Sequence, residues 1–191
     1  AAALKFDPPI NAIGIPGTAG FGVGICPAPP VGITALMGTA DRLSANYGNY
    51  ITADGSTVVW IPAFYLRRGH ASNPTFLAYG VNSVDVKGLA SFPDEATANA
   101  SGYYLHRAFV NAEANQLGLF RDKYDCSLND TTASSIQGVQ PMVSGPAAGQ
   151  VGFAGATANG QAPANNYGGA VAAAKSRGAK WFPESVYIAD A

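Results

Sequence analysis

The alternation of apolar and polar positions is strongest in "GNYITADGSTVVWIPAFYLRR", residues 48–68. Tyr50 and Ile51 precede an Asp54-Gly55 pair, and Val58, Val59, Trp60, Ile61, Phe64, Tyr65 and Leu66 come after it. Asp-Gly is a favoured two-residue turn, and β-branched and aromatic residues suit a pleated surface, so the pattern predicts a β-hairpin. Pro62 cannot donate to a ladder and marks a bulge or an edge. "FLAYGVNSVDVKG", with Val81, Val84 and Val86, predicts a second strand region. Asp94 and Glu95 suit the positive end of a short helix that Gly102 ends. "YYLHRAFV" and "LGLFRDKYDCS" predict two further strands. On the second of these, residues 121, 123 and 125 would share one face and 122, 124 and 126 the other.

Residues 129–167 read as a long polar connection, of the kind that is functional or covered by partners in compact domains. Then "NNYGGAVAAAKSRGA" has helix grammar. Asn165 or Asn166 caps it, Ala172 to Ala174 propagate it, Lys175 and Arg177 suit its C-terminal end and Gly178 stops it. "KWFPESVYIADA" predicts a second helix with Pro183 in its first turn, ending about two turns in. No internal repeat is present.

Residues 1–40 interleave Gly and Pro with small apolar side chains and read as an extended arm, with one domain over 41–191. "GFGVG" lacks the spacing and the following Lys-Ser/Thr of a phosphate loop, and reads as a turn. Composition sharpens this picture. Of 191 residues, 48% are hydrophobic and only 12% charged, with net charge −1. No basic stripe favours nucleic acid, and no basic amphipathic segment favours a membrane surface. Residues 8–40 and 131–174 carry no charge. Soluble surfaces are normally dotted with charge, so such stretches suggest cover by neighbouring subunits. Prolines and glycines keep the first stretch from being a membrane helix. The N-terminal residues do not read as a signal peptide, and the Asn99 and Asn129 glycosylation triplets are taken as coincidental.

Against this background, four charges in five positions (Arg121, Asp122, Lys123, Asp125) beside Cys126 pose the question of chemistry. A catalytic thiol would need a base, and the histidines are His70 and His106. Both read as surface or hydrogen-bonded core side chains. Cys26 and Cys126 form no C-x-x-C, so zinc and redox motifs are unsupported. A disulfide or two free thiols both fit, and free thiols are expected without a secretion signal. No carboxylate pair suggests glycoside cleavage and no nucleophile elbow is present. The alternating charges instead suggest a pinned edge strand.

"LFRDKYDCS" resembles the F-Y-I-D-K-Y-E-V-T strand of the formylglycine-generating-enzyme-like branch of the C-type lectin fold. Phe120 supplies an aromatic, Asp122, Lys123 and Tyr124 match, Asp125 stands for Glu and Ser127 for Thr. "YGGAVAAAKSRGAKWFPESVYIADA" resembles that branch's Y-x-x-F-C-x-x-x-G-x-R-L-P-T-E-A-E-W-E-Y-A entry. Tyr167, Gly178, Pro183 and Ala191 stand for its Tyr, Gly, Pro and Ala, while Trp181 and Phe182 replace Arg-Leu and Ile188 replaces Trp. The upstream text resembles tailed-phage virion proteins that carry this domain behind a short arm.

The resemblance implies an α+β, C-type-lectin-like domain that continues beyond Ala191. It makes the charged strand a framework strand. The branch's enzymes carry their catalytic cysteines in the later part, and Cys126 stands where they have an apolar residue, so oxidase activity is not carried over. No Glu-Pro-Asn or Gln-Pro-Asp calcium motif is present. The expectation is a non-enzymatic virion protein: a tail fibre, head fibre or capsid decoration component. It has no catalytic or metal residues and no cofactor. Its partners are sister chains and other virion proteins, through the arm, and a bacterial surface glycan or protein; no nucleic acid and no membrane are expected. The alternatives are a formylglycine-generating-type oxidase domain and a secreted carbohydrate-binding module.

Overall fold

The computed structural model describes residues 12–110, 114–143, 148–153 and 167–183. They form a mixed α+β architecture, mostly strands with a few short helices. The first sheet has the order β1-β2-β3-β7: β1 is Ile33–Ala35, β2 Asn49–Thr52, β3 Thr57–Pro62 and β7 Gly118–Asp122. Every pairing in it is antiparallel. The second sheet has the order β5-β4-β6, with β4 Phe64–Arg68, β5 Val84–Gly88 and β6 Tyr104–Leu105. β8 (Ser127–Asn129) and β9 (Thr132–Ser134) form a separate hairpin. The helices are α1 (Phe76–Tyr79), α2 (Glu95–Ala100) and α3 (Tyr167–Lys175).

The Asp54-Gly55 hairpin forms as the sequence predicts, with Tyr50 opposite Val58. Its second arm is not one continuous strand. The chain leaves the first sheet at Pro62 and enters the second at Phe64, with Ala63 wholly buried at the junction. Ala63 still donates to Leu117 O at 2.9 Å. Trp60 N–H donates to Gly48 O at 2.9 Å, and Trp60 O accepts from Gly24 at 3.1 Å. Pro62 faces the same side by strand alternation, past the end of β2, where its missing donor leaves no ladder bond unmade.

Three other predicted strands are corrected. Phe76–Tyr79 is a helical turn, not a strand, and only Val84–Gly88 is extended. Asn73 closes this excursion: its Nδ2 donates to Arg67 O at 3.1 Å and to Ser83 O at 3.3 Å. "YYLHRAFV" yields a two-residue strand and then a 3-10 turn at Arg107–Phe109, because His106 caps that turn through Nδ1 accepting from Ala108 N. β7 is an edge strand, as expected, but it ends at Asp122, so the two-face alternation does not continue through Cys126. The polar connection from 129 contains β9, and Asp130 takes φ +52° in the β8–β9 turn. α2 starts at an Asp94 cap whose side chain accepts from Thr97 N, and Gly102 lies after it at φ +80°. α3 lies where expected, and its proposed Asn165 or Asn166 cap is outside the described residues. Residues 181–183 carry no regular structure; the rest of the helix expected from Pro183 lies outside the described residues.

The described part of the stretch read as an arm lies on this chain's own sheets. β1 joins the first sheet, Cys26 packs with Tyr50, Val58 and Trp60, and Ile13 is 2% exposed in the largest apolar cluster. That cluster gathers Ile61, Phe64, Leu66, Leu105 and Phe109 between the sheets and α2. A third, smaller cluster joins Ala133, Met142 and Ala173, with Cys126 and Leu128 beside it. No helix among the described residues is long and apolar enough to cross a membrane.

Candidate functional site: the charged node at Arg177

The charge cluster of β7 is drawn into a network that the sequence pattern did not disclose. Asp122, at the end of β7, receives Arg177 Nη1 at 2.6 and 2.8 Å on its two oxygens. Arg177 comes from the turn after α3, 55 positions away, and its side chain is 2% exposed. Its Nε lies 3.4 Å from Asp54 Oδ2, in the β2–β3 turn. The guanidinium carbon sits 3.6 Å from the Trp181 ring centroid, a cation–π stack. One arginine therefore ties the hairpin turn, the edge strand and the C-terminal helix together.

Asp54 has partners besides Arg177. Its carboxylate accepts from the Thr52 hydroxyl, from Ser56 Oγ at 2.6 Å and from Ser134 Oγ at 2.7 Å. Asn129 Nδ2 donates to its backbone carbonyl at 3.0 Å, bringing β8 against the turn. Burial alone would raise the Asp54 pKa, but these hydrogen bonds and the Arg177 charge outweigh it and hold the carboxyl below its ordinary value.

Cys126 donates its thiol to Asp122 Oδ2 at 3.0 Å. Burial first, then the Asp122 charge and hydrogen bond, push the thiol up to about 12. Nucleophilic thiols need the opposite, a depressed pKa beside a cation or a base. Arg177 lowers it, but the aspartate wins because it both accepts the proton's hydrogen bond and repels the thiolate. At neutral pH this cysteine is a hydrogen-bond donor that fills the rim of a small core. Cys26 is likewise a free thiol, raised by burial.

The structure does not bring the other sequence candidates to this node. His106 is 5% exposed and packs 5.1 Å from the Phe64 ring in the first cluster. His70 sits in the turn after β4, where Nδ1 accepts from Ser72 N at 3.1 Å. Lys123 donates to Ala45 O at 3.4 Å and Asp125 is exposed. Lys123 and Asp125 line an open cleft of about 360 Å³ with Tyr124, Ile136 and Val139. Among the described residues no three His, Cys, Asp or Glu side chains converge on a metal-sized site.

Arg177 and Asp54 were missed as site residues. Each had a local reading that consumed it, Arg177 as a helix-end cation and Asp54 as half of a turn. No family model, curated protein or solved structure matches this chain.

Proposed function

We propose that this chain is a non-enzymatic structural and adhesive protein of a tailed-phage virion: a tail-fibre, head-fibre or capsid-decoration component with a C-type-lectin-like α+β domain. Sister chains and other virion proteins are its partners, and a bacterial surface glycan or protein its further target. The motif resemblance supplies the family half of the reading. The chemistry of the charged strand is compatible with it, since Asp122 and Arg177 fasten elements together and Cys126 stays protonated.

The observation that carries the assembly half is the excursion between β4 and β5. α1 and the 3-10 turn after it bury no side chain. Leu77 is 102% exposed, Tyr79 64% and Val81 78%. A one-turn helix is unstable without packing, and soluble monomers seldom gather bare apolar side chains in one place. A second copy of this chain is the partner that such a surface suits. Val31 and Met37, in the described part of the Gly/Pro-rich stretch, are exposed in the same way.

The test is the combined variant Leu77→Ser, Tyr79→Ser, Val81→Ser, sized beside the wild type. Because these side chains bury nothing within the chain, the variant keeps its far-ultraviolet spectrum and loses self-association. A variant that assembles like the wild type contradicts the reading.

A further inference from the structure

A second cleft, of about 300 Å³, is lined by Gly20, Val23, Arg42, Ser44, Tyr47 and Lys123, with Val59 on its wall. Four separate parts of the chain build it. The 41–47 loop is stiffened by successive turns, Ser44 N to Asp41 O at 2.9 Å and Tyr47 N to Ser44 O at 3.0 Å. Asn46 Nδ2 fastens it to Met37 O at 3.0 Å, and Asn49 Nδ2 and Lys123 Nζ both donate to Ala45 O. Gly20, at φ +77°, closes over Tyr47. A Cβ there would stand 2.8 Å from the tyrosine ring and 3.1 Å from Arg42 Cγ, so only glycine allows this wall.

The lining has one sign of charge. Arg42 and Lys123 contribute two cations, and no carboxylate lines the cleft. No carboxylate among the described residues pairs with either cation. Asp41 is engaged with Leu43 N at 3.0 Å, and Asp125 lines the other cleft. Arg42 Nε and the Tyr47 hydroxyl are buried with no hydrogen-bond partner, and Tyr47 is 5% exposed. Ser44 Oγ accepts from Asn46 N at 3.1 Å and keeps its own proton to donate. Val23 and Val59 add apolar wall, which a bare inorganic anion does not need. The volume is at the low end of small-ligand sites.

We propose that this cleft binds a small organic carboxylate of single-sugar size, of the uronic acid class. Arg42 and Lys123 hold the carboxylate, Ser44 meets a hydroxyl, and the valines pack on the carbon skeleton. The choice of an acidic saccharide rests on the adhesive reading above; the carboxylate chemistry does not.

The experiment is an amide-shift NMR titration of the full chain at low salt, with D-glucuronate, D-glucose, acetate and inorganic phosphate as separate arms. Glucuronate is expected to give saturating shifts at residues 20–23 and 42–47, with glucose silent there and acetate and phosphate at least tenfold weaker. Lys123→Gln is expected to raise the Kd for glucuronate at least fivefold, Lys123→Arg to restore it, and Arg42→Gln to match Lys123→Gln. Lys123 is exposed, so its variants keep the fold, which the unchanged remainder of the spectrum verifies. The proposal is overturned if glucuronate does not saturate the cleft, if glucose, acetate or phosphate equals it, or if Lys123→Gln leaves the Kd unchanged. Titration of the isolated chain needs no self-association, so failure of the cleft and failure of the assembly reading give different results.

Discussion

At the scale of single residues, Trp60 and Asp122 carry the most weight. Trp60 is 7% exposed and its ring centroid lies 4.9 Å from that of Phe120. Trp60→Ala removes a large side chain from the second cluster and is expected to cost about 3–5 kcal/mol in a urea titration. A cost below about 1 kcal/mol would mean the ring packs elsewhere. Asp122→Asn removes the charge opposite a buried guanidinium. Asp122 is itself 26% exposed, so the expected cost is about 3 kcal/mol, the low end for breaking a buried pair. The two thiols supply a pH test. The folded Cys126 pKa of about 12 exceeds its ordinary 9.0, so its contribution to stability is present below pH 9.0 and is lost as pH rises toward 12. Asp54 works in the other direction: its contribution is present above its ordinary 3.8 and is lost as pH falls through its lower folded value. A disulfide-exchange reagent at pH 8 is accordingly expected to modify neither thiol until denaturant is added. Rapid modification of Cys126 in the folded chain would show a thiolate there.

At the scale of elements, the junctions decide the fold. Gly118 pairs with Pro62 on the β3–β7 ladder and lies against the Trp60 ring; a Cβ there would stand 2.4 Å from the indole and 2.5 Å from Ile61 O. Gly118→Ala is expected to cost about 1–3 kcal/mol through overpacking, read by the same titration. An unchanged midpoint would place β7 in another register. The features legible in the sequence at this scale were local. The Asp54-Gly55 turn, the Asp94 cap of α2 and the Gly178 stop after α3 each state themselves within a few residues. The hand-off at Ala63 did not, because Pro62 fits an edge, a bulge or a strand end equally well, and only the partner strands choose. Phe76 to Val81 read as extended because their apolar residues are punctuated like a strand. The Asn73 side chain closes that loop, an interaction no periodicity reports.

At the scale of the molecule, the Gly/Pro-rich stretch divides between two roles. Ile13 and Cys26 are core side chains, so deleting residues 1–30 is expected to unfold the domain, where the sequence suggested an arm lying outside a 41–191 domain. A folded, cooperative deletion variant would contradict the packing of Ile13. The charged node also belongs to this scale. Asp54, Asp122 and Arg177 lie 55 or more positions apart along the chain, so composition flagged the cluster around 121–125 while leaving Arg177 and Asp54 unmarked. The absence of charge over 8–40 and 131–174 was legible, and the exposed Val31 and Met37 give the first stretch physical content as surface that water covers poorly, as Leu77 and Val81 are elsewhere in the chain. Association between copies of this chain brings these features under one cause. Sedimentation velocity of the purified protein, from one to one hundred micromolar, tests that most directly. A discrete species of several chains, weakened when Leu77, Tyr79 and Val81 become serine, is the predicted result. A lone monomer across the whole range contradicts it.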